Sequence, residues 1–134
     1  MKKYLLDTNI CIFFLKEKYN VKQKAQAIRL DNCYISEITL GELLYGAECS
    51  LNPERNLIQI EEFVKELQVL SISTAIALYA KEKSLLRKRG AMIDDLDILI
   101  GATAIANNMI LVTDNEKHLN RLANIKIENW VERD

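Results

Sequence analysis

The stretch KYLLDTNICIFFLK, residues 3–16, sets a carboxylate where one short apolar run ends and another begins. Tyr4–Leu6 reads as a buried strand, and Ile10–Glu17 as a helix. Asp7 stands between them, and two readings of it lie side by side. It is a favoured helix N-cap, and it is a candidate corner of a metal site.

Working outward, the same strand-then-helix order repeats. Cys33–Ser36, Val69–Ile72, Met109–Thr113 and Ile125–Glu128 are short and rich in Ile, Val or Leu, as buried parallel strands are. Helices are expected at Val21–Leu30, at Glu37–Glu48, from Asn52-Pro53 through Leu67, at Thr74–Arg89 and at Asp95–Asn107. Asn52 is an N-cap followed by proline at the first helical position. Leu57, Ile60, Phe63, Val64 and Leu67 then recur at helical spacing, and Gly90 ends the helix before it. Alternating strands and helices imply an α/β fold with a parallel sheet and right-handed crossovers. With no repeat, low-complexity tract or boundary, one domain over residues 1–134 is expected.

Composition narrows the function classes. The chain is 49% hydrophobic and 28% charged, with four Gly and one Pro, which is ordinary for a globular protein. No apolar stretch is long enough to span a bilayer. The run after Met1-Lys2-Lys3 is too short for a secretory signal, so a cytoplasmic protein without membrane association is expected. Cys11, Cys33 and Cys49 are odd in number and widely spaced, and are expected as small buried apolar residues. Ile10, Phe13, Phe14 and Tyr45 are expected in the core. The net charge of −1 shows no overall basic footprint for nucleic acid, although a local basic face can coexist with an acidic pocket.

Acids recur in apolar surroundings. Glu42 lies in SEITLGELLYGAE, among Ile38, Leu43, Leu44 and Ala47, which are expected to face the core. Asp94, Asp95 and Asp97 precede the apolar run of MIDDLDILIGATAIA, and Asp114 follows the strand in ILVTDNEKHL. Each has an ordinary structural explanation: a helix cap, a capping-box partner, a solvated helix residue or a turn residue. In an open α/β sheet, however, ligands sit beyond the carboxyl ends of the strands. That end is where Asp7 and Thr113-Asp114 fall. Clustered carboxylates raise one another's pKa values, and a divalent cation relieves the repulsion. An all-oxygen donor set without His or Cys favours Mg2+ or Mn2+. The matching chemistry is phosphodiester hydrolysis by metal-activated water.

At these residues the chain resembles the PIN-domain ribonucleases, and among them the VapC-like toxins of bacterial type II toxin–antitoxin modules. LLDTNICIFFLK, ISEITLGELLYGAECS, IDDLDILIGATAIANNMILVTDN and IKIENW follow that family's motifs in order, over essentially the whole chain. The resemblance implies a three-layer fold with a mainly parallel sheet of five short strands. It implies a Mg2+-dependent endoribonuclease, with Mn2+ able to substitute, that cuts RNA such as transfer RNA and inhibits translation. Asp7, Glu42 and Asp97 are then the acidic site, with Asp7 and Asp97 the metal ligands. Asp95 is an additional acid found in some relatives. Asp114 stands as the fourth acid, one residue before the family's usual position, which here is Asn115. Thr8 and Thr113 are candidates to orient carboxylates or water, and equally to satisfy local backbone groups. A homodimer or toxin–antitoxin hetero-oligomer is implied, with a small antitoxin laid over the cleft.

KEKSLLRKRG, residues 81–90, is the clearest basic run. It is either a solvated helix face with cations favourable to the dipole, or an RNA contact through Arg87, Lys88 and Arg89. Three other readings fit the sequence less well. A Mg2+-binding receiver-type signalling domain needs adjacent acids after an early strand and a Lys-Pro after a late one, and Pro53 is the sole proline. A non-catalytic RNA-binding PIN-like module does not require every acid to be present. A Ser-His-Asp hydrolase lacks a nucleophile elbow near His118.

Overall fold

The computed structural model describes residues 1–133; Asp134, the last residue of the expected domain, lies outside the described residues. Five strands form one sheet in the order β3-β2-β1-β4-β5, and every neighbouring pair is parallel. They are β1 (Tyr4–Leu6), β2 (Cys33–Ser36), β3 (Gln68–Leu70), β4 (Ile110–Val112) and β5 (Ile127–Glu128). The helices are α1 (Thr8–Leu15), α2 (Val21–Ile28), α3 (Glu37–Glu48), α4 (Pro53–Lys65), α5 (Ile76–Lys88), α6 (Asp95–Ala106) and α7 (Glu116–Leu119).

Strand pleating divides the core in two. Tyr4, Leu6, Cys33, Ile35 and Val112 face a cluster completed by α1 to α4, through residues such as Ile10, Phe14, Val21, Leu43 and Phe63. The residues between them, Leu5, Tyr34 and Leu111, face a second cluster completed by α5 to α7, including Leu86, Ile98, Ile100 and Leu119. This period-two alternation places helices on both faces and yields the expected three layers. Gly101 allows α6 to sit close to α7 and the segment after it, because a Cβ there would overlap the Leu122 side chain.

Several boundaries differ from expectation for local reasons. The first helix begins at Thr8 because Asp7 caps it, and ends at Leu15 before Glu17 adopts φ 54°. The second stops at Ile28, where Arg29 takes φ 85° and the Asn32 side chain donates to the Ile28 carbonyl. The third strand begins at Gln68 and stops at Leu70; Gln68 and Val69 are both exposed, because it is an edge and not a fully buried strand. The last strand is confined to Ile127–Glu128.

Three side chains expected inside are outside. Tyr45 is 72% exposed, because α3 turns it away from both core clusters. Leu44, beside it, is also exposed. Cys49, the C-cap of α3, is exposed, whereas Cys11 and Cys33 are buried as expected.

Candidate active site

The strand order reverses direction at β1: the chain steps outward through β2 and β3, then returns to place β4 on the other side. Such a switch point opens a crevice at the carboxyl ends of the two central strands. Asp7 emerges there from β1, and its N–H donates to the Val112 carbonyl of β4 at 2.9 Å.

Asp7 fills both roles raised by its sequence position. As N-cap of α1, its Oδ1 accepts from Thr8 N at 2.8 Å. Its Oδ2 accepts from the Thr113 hydroxyl at 2.7 Å. Asp7 is only 6% exposed. Burial raises its pKa above the usual carboxylate value, the Thr113 and Thr8 hydrogen bonds oppose that rise, and the charge of Glu42 adds to it.

Glu42 arrives from α3, one and a half turns after the Ser36 cap, whose Oγ accepts from Thr39 N. Thr8 donates its hydroxyl to Glu42 Oε1 at 2.6 Å, and its Oγ1 lies 3.1 Å from Thr39 Oγ1. A hydroxyl chain thus ties the start of α1 to α3. An apolar-lined cleft of about 310 Å³ runs from Glu42 between α1, α3 and α4, past Ile12, Leu15 and Ile60.

Asp97 comes from the first turn of α6, where Asp94 is the N-cap and accepts from Leu96 N at 2.8 Å. The Asp97 carboxyl is pushed up to about 6, first by burial and then by the charges of Asp7, Asp94 and Glu42. Four acids from three separate parts of the chain therefore share one electrostatic environment. Among the described residues, no three His, Cys, Asp or Glu side chains form a ready-made metal cluster. The chemistry of the donor set, oxygen only and mutually repelling, fits a hard divalent cation.

Two other acids stand apart from this group. Asp95 pairs with Lys83 at 2.8 Å and accepts from the Tyr79 hydroxyl at 3.0 Å, and these partners lower its pKa. Asp114 receives two bonds from Arg133, at 2.9 and 2.7 Å, and one from Asn129 at 3.2 Å. The Arg133 pairing holds its pKa below the ordinary range. Asn115 donates its backbone N–H to the Thr113 hydroxyl at 2.9 Å.

Arg87, Lys88 and Arg89 end α5 exposed to solvent, and Arg89 donates to the Arg121 carbonyl. Within the basic run it is Lys83, a turn earlier, that reaches the acid-rich start of α6. Its partner Asp95 could be found from sequence only by knowing how α5 packs on α6. Thr39 and Arg133 were likewise outside the sequence reading; each acts through a fold contact and not through a local motif.

A model of the PIN domain matches residues 4–125. Over 131 residues the chain is 37% identical to the tRNA(fMet)-specific endonuclease VapC of Salmonella typhimurium, covering 97% of this chain and 99% of that one. It is 38% identical to ribonuclease VapC2 of Haemophilus influenzae, over 98% of this chain and all of the relative. The crystal structure of DNA-bound VapBC from Salmonella typhimurium superposes with a TM-score of 0.89 at 36% identity, covering 97% of this chain and 99% of that chain. VapBC2 from Rickettsia felis, bound to a promoter DNA fragment, gives 0.87 at 32% identity, with 95% and 98% coverage. The chain belongs to the PIN-domain family, and within it to the VapC ribonucleases.

Proposed function

We propose that this protein is a Mg2+-dependent endoribonuclease, the toxin of a type II toxin–antitoxin module, with Asp7, Glu42 and Asp97 as its catalytic acids. The observation carrying this reading is the shared environment of Asp7, Glu42, Asp94 and Asp97 at the switch point, in which Asp97 is pushed up to about 6. Carboxylates gathered in this way repel one another in the metal-free protein, and a bound cation relieves that repulsion.

Asp7 and Asp97 hold the ion in this reading, and Mn2+ can replace Mg2+. When bound, the ion neutralises the carboxylates and lowers the pKa of water at neutral pH. The chain's own residues prepare the site. Thr8 and Thr113 fix both oxygens of Asp7, and the Thr8 hydroxyl orients Glu42, which in this reading accepts a proton from the attacking water. Among the described residues no histidine pair is available to deprotonate a ribose 2′-hydroxyl, so water attacks phosphorus and the 3′ oxygen leaves. The products are a 5′-phosphate and a 3′-hydroxyl.

Transfer RNA is the proposed substrate, on the ground that a relative 37% identical is named for that activity. A cognate antitoxin is proposed to cover the cleft beside Glu42, in a cytoplasmic toxin–antitoxin assembly built on a toxin homodimer. No helix among the described residues is long and apolar enough to cross a membrane.

Sequencing RNA ends after brief expression tests the reading. Discrete cuts in transfer RNA with 5′-phosphate ends, stopped by EDTA and retained with a single 2′-deoxy substitution at the cut site, are expected. Cyclic 2′,3′-phosphate ends, or undiminished cutting without a divalent ion, would overturn it.

A further inference from the structure

Asp114 follows directly on Thr113, whose hydroxyl bonds Asp7 at 2.7 Å, so the chain that carries Asp114 leaves from the edge of the acidic group. Its carboxylate is taken by Arg133 through two parallel bonds of 2.9 and 2.7 Å. The fork geometry fixes the guanidinium plane as well as its position.

One further contact holds the arginine itself, and several more hold the residues around it. Its guanidinium stacks 4.9 Å from the Tyr19 ring centroid, and Tyr19 packs edge-on against Phe13 at 4.8 Å. The Glu132 N–H donates to the Tyr19 carbonyl at 3.1 Å, and Asn20 Nδ2 donates to Glu132 Oε2 at 3.0 Å. Asn129 braces Asp114 and Glu116 together. Tyr19 and Asn20 both occupy left-handed backbone conformations, at φ 57° and 60°. The turn between α1 and α2 is thus shaped to meet residues 129–133.

The arginine side chain remains 54% exposed, whereas that of Asp114 is 20% exposed. A guanidinium carries five N–H donors, and the two bonds to Asp114 do not use them all. The acids Asp7, Glu42, Asp94 and Asp97 repel an incoming polyanion, and a fixed guanidinium tied to the residue after Thr113 offsets part of that repulsion.

We propose that Arg133 binds an RNA phosphate next to the scissile one, and that Asp114 is the positioning residue that holds it there. The inference rests on the ribonuclease reading for its substrate. It gives Asp114 a different part from the fourth site acid that the family resemblance implies, since here Asp114 serves the arginine. Phosphate recognition of this kind adds affinity without sequence information.

The test measures binding and turnover separately. Binding of a fluorescein-labelled, mixed-sequence single-stranded RNA of about 20 nucleotides is followed by anisotropy in EDTA, across a salt series, for wild type and Arg133→Gln. Loss of one phosphate contact lowers the slope of log Kd against log salt by about 0.7. In Mg2+, Arg133→Gln is expected to raise KM for a cleaved RNA about threefold to tenfold, with kcat changed far less, and Arg133→Lys to recover part of the loss. Asp114→Asn raises KM in the same sense, and the double variant is no worse than the poorer single one, because both act through one contact. An unchanged salt slope and KM in Arg133→Gln overturns the proposal. So do additive losses, or a Mg2+ requirement shifted by Asp114→Asn and not by Arg133→Gln. A wild-type protein that binds RNA but never cuts it overturns the ribonuclease reading and with it the position beside a scissile phosphate, whereas a salt slope lowered in Arg133→Gln still assigns the phosphate contact to Arg133.

Discussion

The Thr113 hydroxyl donates to Asp7 Oδ2 at 2.7 Å, joining residues 106 positions apart across the two central strands. Asp7 sits at the end of β1 and Thr113 directly after β4, so the bond closes the crevice that parallel pairing of those strands opens. The same hydroxyl accepts from Asn115 N, which aims its proton at the carboxylate. Both oxygens of a buried acid are thereby satisfied before any ligand arrives.

Replacing Thr113 with Val keeps the shape and removes the donor. The buried Asp7 oxygen then lacks a partner, which costs about 1–3 kcal/mol. Urea denaturation should register that loss, and cleavage should fall with it. Thr113→Ser should restore both. A Val variant as stable and active as wild type would show that this bond organises nothing.

Asp7→Asn and Asp97→Asn should each abolish cleavage while the fold survives. Asn remains a good N-cap, so the bond from Thr8 N to residue 7 persists. Removing either charge also relieves repulsion among the acids. Melting curves recorded beside activity separate loss of chemistry from loss of structure. Wild-type rates at limiting Mg2+ in either variant would remove it from the ligand set.

Glu42→Gln should inactivate the enzyme with little effect on stability. The amide oxygen still accepts the Thr8 hydroxyl, so the tie between α1 and α3 is kept while the charge is lost. If Glu42 were only a solvated helix residue, the change would cost at most about 0.5 kcal/mol and leave turnover intact. Normal turnover would therefore argue for that simpler role.

The Asp97 environment predicts an unusual pH dependence for the metal-free protein. Its folded pKa of about 6 lies above the ordinary 3.8. Between those values the folded chain holds a proton that the unfolded chain has released, so stability falls as pH rises through the window. The contribution is on the order of 1 kcal/mol, discounted because the side chain is only half-buried. Denaturation in EDTA at pH 4.5 and 6.5 should show it, and Asp97→Asn should flatten the difference. Equal slopes in wild type and variant would refute the assignment.

The sheet was legible because its strands are short apolar runs between helices, and Asp7, Cys33–Ser36 and Thr113 fall where the reading set them. The positions of Asp7, Glu42 and Asp97 followed from ordered motifs and strand-end logic. Edges were less readable. Arg29, Tyr19 and Asn108 take positive φ without being glycine, which composition does not signal. Tyr45 sits among core-like residues at helical spacing, and only the orientation of α3 reveals its exposure. The pairing of Asp114 with Arg133 was not legible, because the two lie 19 positions apart and meet only in the folded chain.

The interleaved strand order also sets a schedule. A polypeptide emerging from the ribosome presents Asp7 and Glu42 early, with β1 and β2 able to pair. The other flank of β1 stays open until β4 has been made, and with it Thr113. Nascent or prematurely terminated chains that stop before this point carry the acids but lack the strand and the Thr113 hydroxyl that fix Asp7. For a protein whose proposed target includes the transfer RNA feeding its own synthesis, the order of the strands delays the hazard until translation of that copy is nearly done.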